Sequence, residues 1–319
     1  MTSHDVPDLV TLGETMAVFI CEDEPDLYRL TAAGAESNVA VGMAQLGLQT
    51  QWLSRLGEDQ LGRFVHDWIA GHGVAVHVGW DPVRETATCI KEVRPHDSRM
   101  RYYRSSSAAR HLDLLDLWPL ATAPRIHLTG VTPALSAENR TLVEGILGRR
   151  PGPGRISFDV NYRAQLWPDA AAAAGVLLPL ARLADVIFIG EDEALALVGS
   201  EKPEVLAEAL LHRPDQELVL KRGGGSASLL TLDGEVSEPA QEVAVVDLTG
   251  AGDAFAAGYL SASVWGWDAH GRLRLGHFLA ARAVGEVGDV GPTPGPEELA
   301  QVASSVGQTL PHTMRDSCR

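Results

Sequence analysis

Short apolar runs alternate with segments of helical period along most of this chain. Leu9 to Leu12 precedes Ser37 to Leu46, Trp52 to Leu56 precedes Gln60 to Ala70, and Ile126 to Leu128 precedes Ala137 to Leu147. The rhythm continues with Ile156 to Val160 before Ala170 to Leu183, and Val186 to Ile189 before Glu191 to Val198. Leu218 to Lys221 then leads into the strand-like Ser228 to Leu232. Strands followed by helices in this order predict an α/β fold, a mostly parallel sheet with helices on both faces. Two stretches break the rhythm. Met16 to Leu30 and Thr86 to Arg104 read as short strands of polar alternation with no helix after them, which assigns both to a small sheet standing off the core. Asp253 to Trp265, Leu273 to Val287 and Glu297 to Val306 read as the last long helices, and Gly307 to Arg319 as a loose tail.

Composition narrows the class. With 319 residues and 45% hydrophobic content, the chain can bury one large core. A formal charge of -16 argues against nucleic acid and anionic membrane as partners, since both need a basic field. Lys91, Lys202 and Lys221 are the lysines among 26 basic residues, so a lysine-dependent motif must use one of three positions. Cys21, Cys89 and Cys318 form no CxxC pair and suit a reducing compartment. The polar start from Met1 to Pro7 reads as no signal peptide, and no apolar window reaches the length of a membrane span. These features give the expectation of a soluble, cytoplasmic protein.

In open α/β sheets, ligands bind beyond the carboxyl ends of the strands, and the unusual chemistry of this chain falls there. From Val245 to Phe255 the pattern is an apolar strand, a glycine turn at Thr249-Gly250-Ala251-Gly252 and a helix start at Asp253. Such a turn points backbone N–H groups outward at a positive helix end, which suits a phosphate in transfer. Asp253, expected ionised, could take the proton of an attacking hydroxyl. An ordinary helix start with a dipole-favouring carboxylate is the other reading. The spacing fits neither a dinucleotide GxGxxG nor a Walker A loop. Lys221, Arg222, Gly223, Gly224, Gly225 and Ser226 read either as a phosphate wrap or as a hairpin turn. In Arg101-Tyr102-Tyr103-Arg104, the strand period puts Tyr102 and Arg104 on one face; Arg104 with Arg163 would suit a carboxylate, and a solvated edge is the alternative. Glu191, Asp192 and Glu193 either complement a helix dipole or hold Mg2+ through water.

Together these residues resemble a known family, the ribokinase-like (PfkB-type) carbohydrate kinases, and within it the branch acting on 2-keto-3-deoxygluconate. The likeness runs nearly end to end. It includes Leu12-Gly13-Glu14, Gly34 to Ala40, Arg55 to Gly62, Tyr102-Tyr103-Arg104, Asp159 to Arg163, Val219 to Gly223 and the Asp253 segment. The resemblance implies a Rossmann-like core over residues 1–306, with lid segments about 16–34 and 86–108. It also implies ATP and Mg2+ at the strand ends, a monovalent cation such as K+, and homo-oligomers through the lid. Gly34, Asn38, Tyr102, Tyr103, Arg104, Arg163, Asp253 and Asp289 would contact a sugar acid. Asn161, Lys221 to Ala227, Thr249, Gly250 to Gly252 and His277 would serve the nucleotide and anion hole, and Glu193 the metal. Departures from the pattern are Ala33 before Gly34, Cys89 where an aromatic residue is usual, Gly190 ahead of Glu193, and His277 where asparagine is common. They leave open a neutral ketose or riboside as acceptor, or a non-catalytic sugar or nucleotide sensor.

Overall fold

The computed structural model describes residues 6–21, 26–93 and 99–311. Parts of the expected small sheet (22–25 and 94–98), residues 1–5, and residues 312–319 of the tail with Cys318 lie outside the described residues. Among those described, the strands are β1 (Leu9–Leu12), β2 (Met16–Cys21), β3 (Arg29–Ala33), β4 (Thr50–Gly57), β5 (Ala75–Asp81), β6 (Thr88–Glu92) and β7 (Arg99–Tyr103). They continue with β8 (Arg125–Thr129), β9 (Arg155–Asp159), β10 (Val186–Gly190), β11 (Glu217–Arg222), β12 (Ser226–Thr231) and β13 (Gly234–Pro239).

Nine of these form one sheet in the order β13-β12-β11-β10-β9-β8-β1-β4-β5. From β11 to β5 every neighbouring pair is parallel, and β12 and β13 add an antiparallel edge. Side chains alternate as a doubly covered sheet requires. On β10, Ile187 and Ile189 enter one apolar cluster with Leu177 and Leu206, while Val186 and Phe188 enter the opposite one with Phe255 and Tyr259. β1 lies mid-sheet, the chain building outward from it in both directions, so the order reverses between β1 and β8. Ligand crevices form at such a switch point.

β2, β3, β6 and β7 make the second sheet, in the order β3-β2-β6-β7, at the two stretches that broke the helical rhythm. Sequence patterning passed over β5, β13 and the short helix Pro203–Leu210. β5 and β13 are half-exposed edges with little apolar alternation to read. Two expectations are corrected. No strand precedes the Gly250 turn: residues 240–249 are irregular, and Val245, Val246 and Leu248 are more than half exposed. The tail is not loose where described, because Leu310 is buried and the Trp267 indole donates to the Thr309 carbonyl.

Candidate active site

The site is built around the start of the helix Ala251–Val264. This helix is apolar on all sides because it is wedged between the sheet and two other helices. Small residues allow the close approach. A Cβ on Gly42 would lie 2.7 Å from that of Ala257, and one on Gly258 2.4 Å from the Leu275 carbonyl. That contact draws the helix Ala35–Gln45 against it, so that the Asn38 amide donates to Asp253 Oδ2 at 2.8 Å. At the helix start Gly250 takes φ +78°, and a Cβ there would meet the Asp289 carbonyl at 2.1 Å. Only glycine fits both demands. The first-turn amides that follow have no intrahelical acceptors and point from a positive helix end.

Asp253 is 8% exposed. Burial raises its pKa to about 7; the Asn38 hydrogen bond and Arg163 oppose the rise, and the Asp159 and Asp289 carboxylates add to it. The expectation of a carboxylate ionised simply by its helix end is thereby corrected. Desolvation outweighs a dipole contribution worth about 0.3–1 kcal/mol at an exposed helix end.

Two hollows flank this turn. The smaller, about 220 Å3, is lined by Glu14, Gly34, Asn38, Tyr102, Arg104, Arg163, Thr249, Gly250, Asp253 and Asp289. The larger, about 690 Å3, is lined by Lys221 to Gly224, Ser226, Ala227, Ala251, Gly252, His277 and the exposed Val245 and Leu248. The Asp253 turn is the wall between them.

In the smaller hollow Arg104 stands over the Tyr102 ring at 5.0 Å and donates to buried Glu14 at 3.0 Å. Ser107 donates to the other Glu14 oxygen at 3.1 Å, so the guanidinium is held in one pose. Arg163 has no ion pair among the described residues. Tyr103, grouped by sequence with Tyr102, is 57% exposed on the other face of β7 and lies outside the hollow; the strand period separates them. Cys89 is buried opposite Tyr102 in the small sheet.

In the larger hollow the Lys221 ammonium pairs with Asp159 at 2.6 Å and would lie 3.4 Å from a Cβ on Gly252. Burial alone would lower the Lys221 pKa, but Asp159 and Glu193 outweigh it and raise it, keeping the cation beside the helix start. Gly223 to Gly225 turn the β11–β12 hairpin, as one reading of that segment expected, and Gly223 and Gly224 line the hollow. Gly225 is not in the lining. Burial lowers the His277 pKa, and the neutral ring lies edge-on to Phe255 with Nε2 on the Glu238 carbonyl.

The Glu193 carboxylate accepts from the Gly190 and Tyr162 N–H groups, at 2.8 and 2.7 Å. Beside it Asn161 has φ +40° and a buried Oδ1 with no partner. Among the described residues no cluster of three acidic, histidine or cysteine side chains could hold a metal. These oxygen donors would suit a Mg2+ ion reached from Glu193 through water.

Lys91 and Asp247 carry no specific role in the sequence reading. Lys91 is fully buried on β6 and pairs with Asp247, six residues before Asp253. The scarcity of lysine was the available signal: of three, two lie in ion pairs with buried carboxylates at this site.

The chain's likeness to known proteins agrees with this arrangement. A family described as pfkB family carbohydrate kinase matches residues 6–295. The 2-dehydro-3-deoxygluconokinase of Bacillus subtilis (strain 168) is 35% identical over 311 residues, covering 93% of this chain and 96% of that protein. A protein of the same description from Thermoproteus tenax is 32% identical, covering 93% and 94%. The crystal structure of a PfkB protein from Polaromonas sp. JS666 superposes with a TM-score of 0.80 at 31% identity, covering 88% and 97%. With the fold, the glycine turn and the full-length match in agreement, the chain belongs to the pfkB family of carbohydrate kinases.

Proposed function

We propose that this enzyme transfers the terminal phosphoryl group of ATP to a primary hydroxyl of 2-keto-3-deoxygluconate, with Asp253 as base. The observation that carries the reading is the Asp253 turn standing between two hollows, one lined by two guanidinium groups and one by a lysine and a glycine hairpin. Arg104 and Arg163 hold the acceptor's carboxylate, with Gly34, Tyr102 and Asp289 around the sugar chain. Asp253 takes the hydroxyl proton as that oxygen bonds to the γ-phosphorus and the bond to the bridging oxygen breaks, releasing ADP. The Gly250 to Gly252 amides and Lys221 meet the charge that develops on the transferred group. Glu193 would hold a Mg2+ ion through water, and the ion would supply charge neutralisation for the phosphates. The small sheet closes over the acceptor as a lid, and the enzyme works in the cytoplasm.

A coupled assay over sugars and sugar acids tests the acceptor; turnover of neutral sugars with no sugar acid accepted would overturn it. Arg163→Ala should raise KM for the sugar acid by about 10- to 100-fold, from about 1.5–3 kcal/mol for a charge-assisted hydrogen bond, with KM for ATP unchanged. An unchanged KM would move the carboxylate elsewhere. Arg104→Ala should add a loss of stability, since it strands buried Glu14.

The pH profile follows from the base. Asp253 must be deprotonated to act, and its pKa is raised to about 7. kcat/KM is therefore expected to climb with pH and level off above about 7. A flat profile from pH 5 to 8 would contradict a base with this pKa.

A further inference from the structure

The Lys91 ammonium is fully buried between the small sheet and the glycine turn. It donates to Asp247 Oδ2 and to Thr249 Oγ1, the latter at 2.8 Å, and stands 3.9 Å from Asp289 Oδ1. Asp247 Oδ2 also accepts from the Gly288 amide at 3.2 Å, and Oδ1 from the Thr249 amide and hydroxyl at 3.2 and 2.8 Å. Both oxygens of Asp247 thus have two donors, which fills a carboxylate's capacity. Asp247 and Asp289 lie on the two segments packed against each other at Gly250, where the Asp289 carbonyl touches the turn. Lys91 is the cation between these carboxylates. A guanidinium is larger and planar, and the choice of a compact ammonium in a chain so rich in arginine follows from the space.

We propose that Lys91 is the protein's own monovalent cation: its ammonium orders the Asp247 to Gly250 turn, so that turnover needs no added K+. The sequence resemblance implied a monovalent ion; the residues present do not fit one at Asp247, because Lys91 already supplies the positive charge there and two donors on each oxygen leave the carboxylate no free lone pair for an ion. Lys91 is a positioning residue, acting on the transferred phosphoryl group through the turn. It also ties β6 of the small sheet to that turn, while Arg29 of β3 donates to the Val287 carbonyl on the adjoining segment. The proposal rests on the reading that the Gly250 to Gly252 amides receive that group.

Two measurements test it. The wild-type rate, on whichever acceptor is turned over, should be the same in tetramethylammonium buffer with and without potassium chloride; activation by potassium would overturn the proposal. Lys91→Met should lower kcat by about 100-fold, the scale of losing one aligned oxyanion donor, with little change in KM for ATP. Potassium or ammonium should restore part of that kcat, which a packing defect alone would not allow. The melting temperature of Lys91→Met, and not of the wild type, should rise with added potassium as the ion enters the vacated place. Potassium that neither restores the rate nor stabilises Lys91→Met would overturn the proposal. If no acceptor is phosphorylated, the functional reading fails while the melting comparison still decides the role of Lys91.

Discussion

Asp253→Asn is expected to cut phosphoryl transfer by about 10³- to 10⁴-fold, the upper part of the range for a lost general base, while ATP binding by calorimetry is unchanged. The amide is isosteric and can keep a hydrogen bond to Asn38, so the turn and the larger hollow are preserved. A variant retaining about a tenth of the rate would assign the proton to another group. Stability should move the other way. Because the folded pKa of about 7 lies above the ordinary aspartate value of 3.8, the folded protein holds this proton where the unfolded chain has lost it. The contribution to stability is present at low pH and lost as pH rises from about 4 to about 7. Asparagine does not ionise, so the variant is expected to melt at or above the wild-type temperature at pH 8. A lower melting temperature would show that the charged carboxylate stabilises the fold.

Gly250→Ala carries the second large effect. At φ +78° an L side chain costs about 1–2 kcal/mol, and here the added methyl would also sit 2.1 Å from the Asp289 carbonyl oxygen. Either the turn or the segment bearing Asp289 must shift, and both line the smaller hollow. We expect a loss of more than about 2 kcal/mol in denaturant unfolding and a fall in kcat of at least about 100-fold. Gly252→Ala is the control for the backbone. Its Cβ would stand 3.4 Å from Lys221 Nζ, an ordinary contact, so the fold should be retained. If Gly250→Ala melts like Gly252→Ala, the strain argument is wrong.

Much of the site was legible because it lies at strand ends and in one short turn. The Asp253 segment, Lys221 with its glycine hairpin, and the Tyr102/Arg104 face each combine residues near in sequence, and the strand period separated Tyr102 from Tyr103. The apolar strand expected at Val245 shows where patterning fails. Val245 and Leu248 are exposed along the larger hollow, and hydrophobicity alone does not distinguish a ligand-facing lip from a buried strand.

By itself the sequence determined the alternation of most strands and helices, the parallel sheet, the separate small sheet and the identity of the glycine turn, because periodicity and backbone chemistry are local. Only the tertiary structure decided the raised pKa of Asp253, the partners of Arg104 and the burial of Lys91. Asp253 depends on Asn38, 215 residues away, and Lys91 on Asp247, 156 residues away. Desolvation and ion pairing depend on which groups packing brings within a few ångströms, and no period along the chain encodes that.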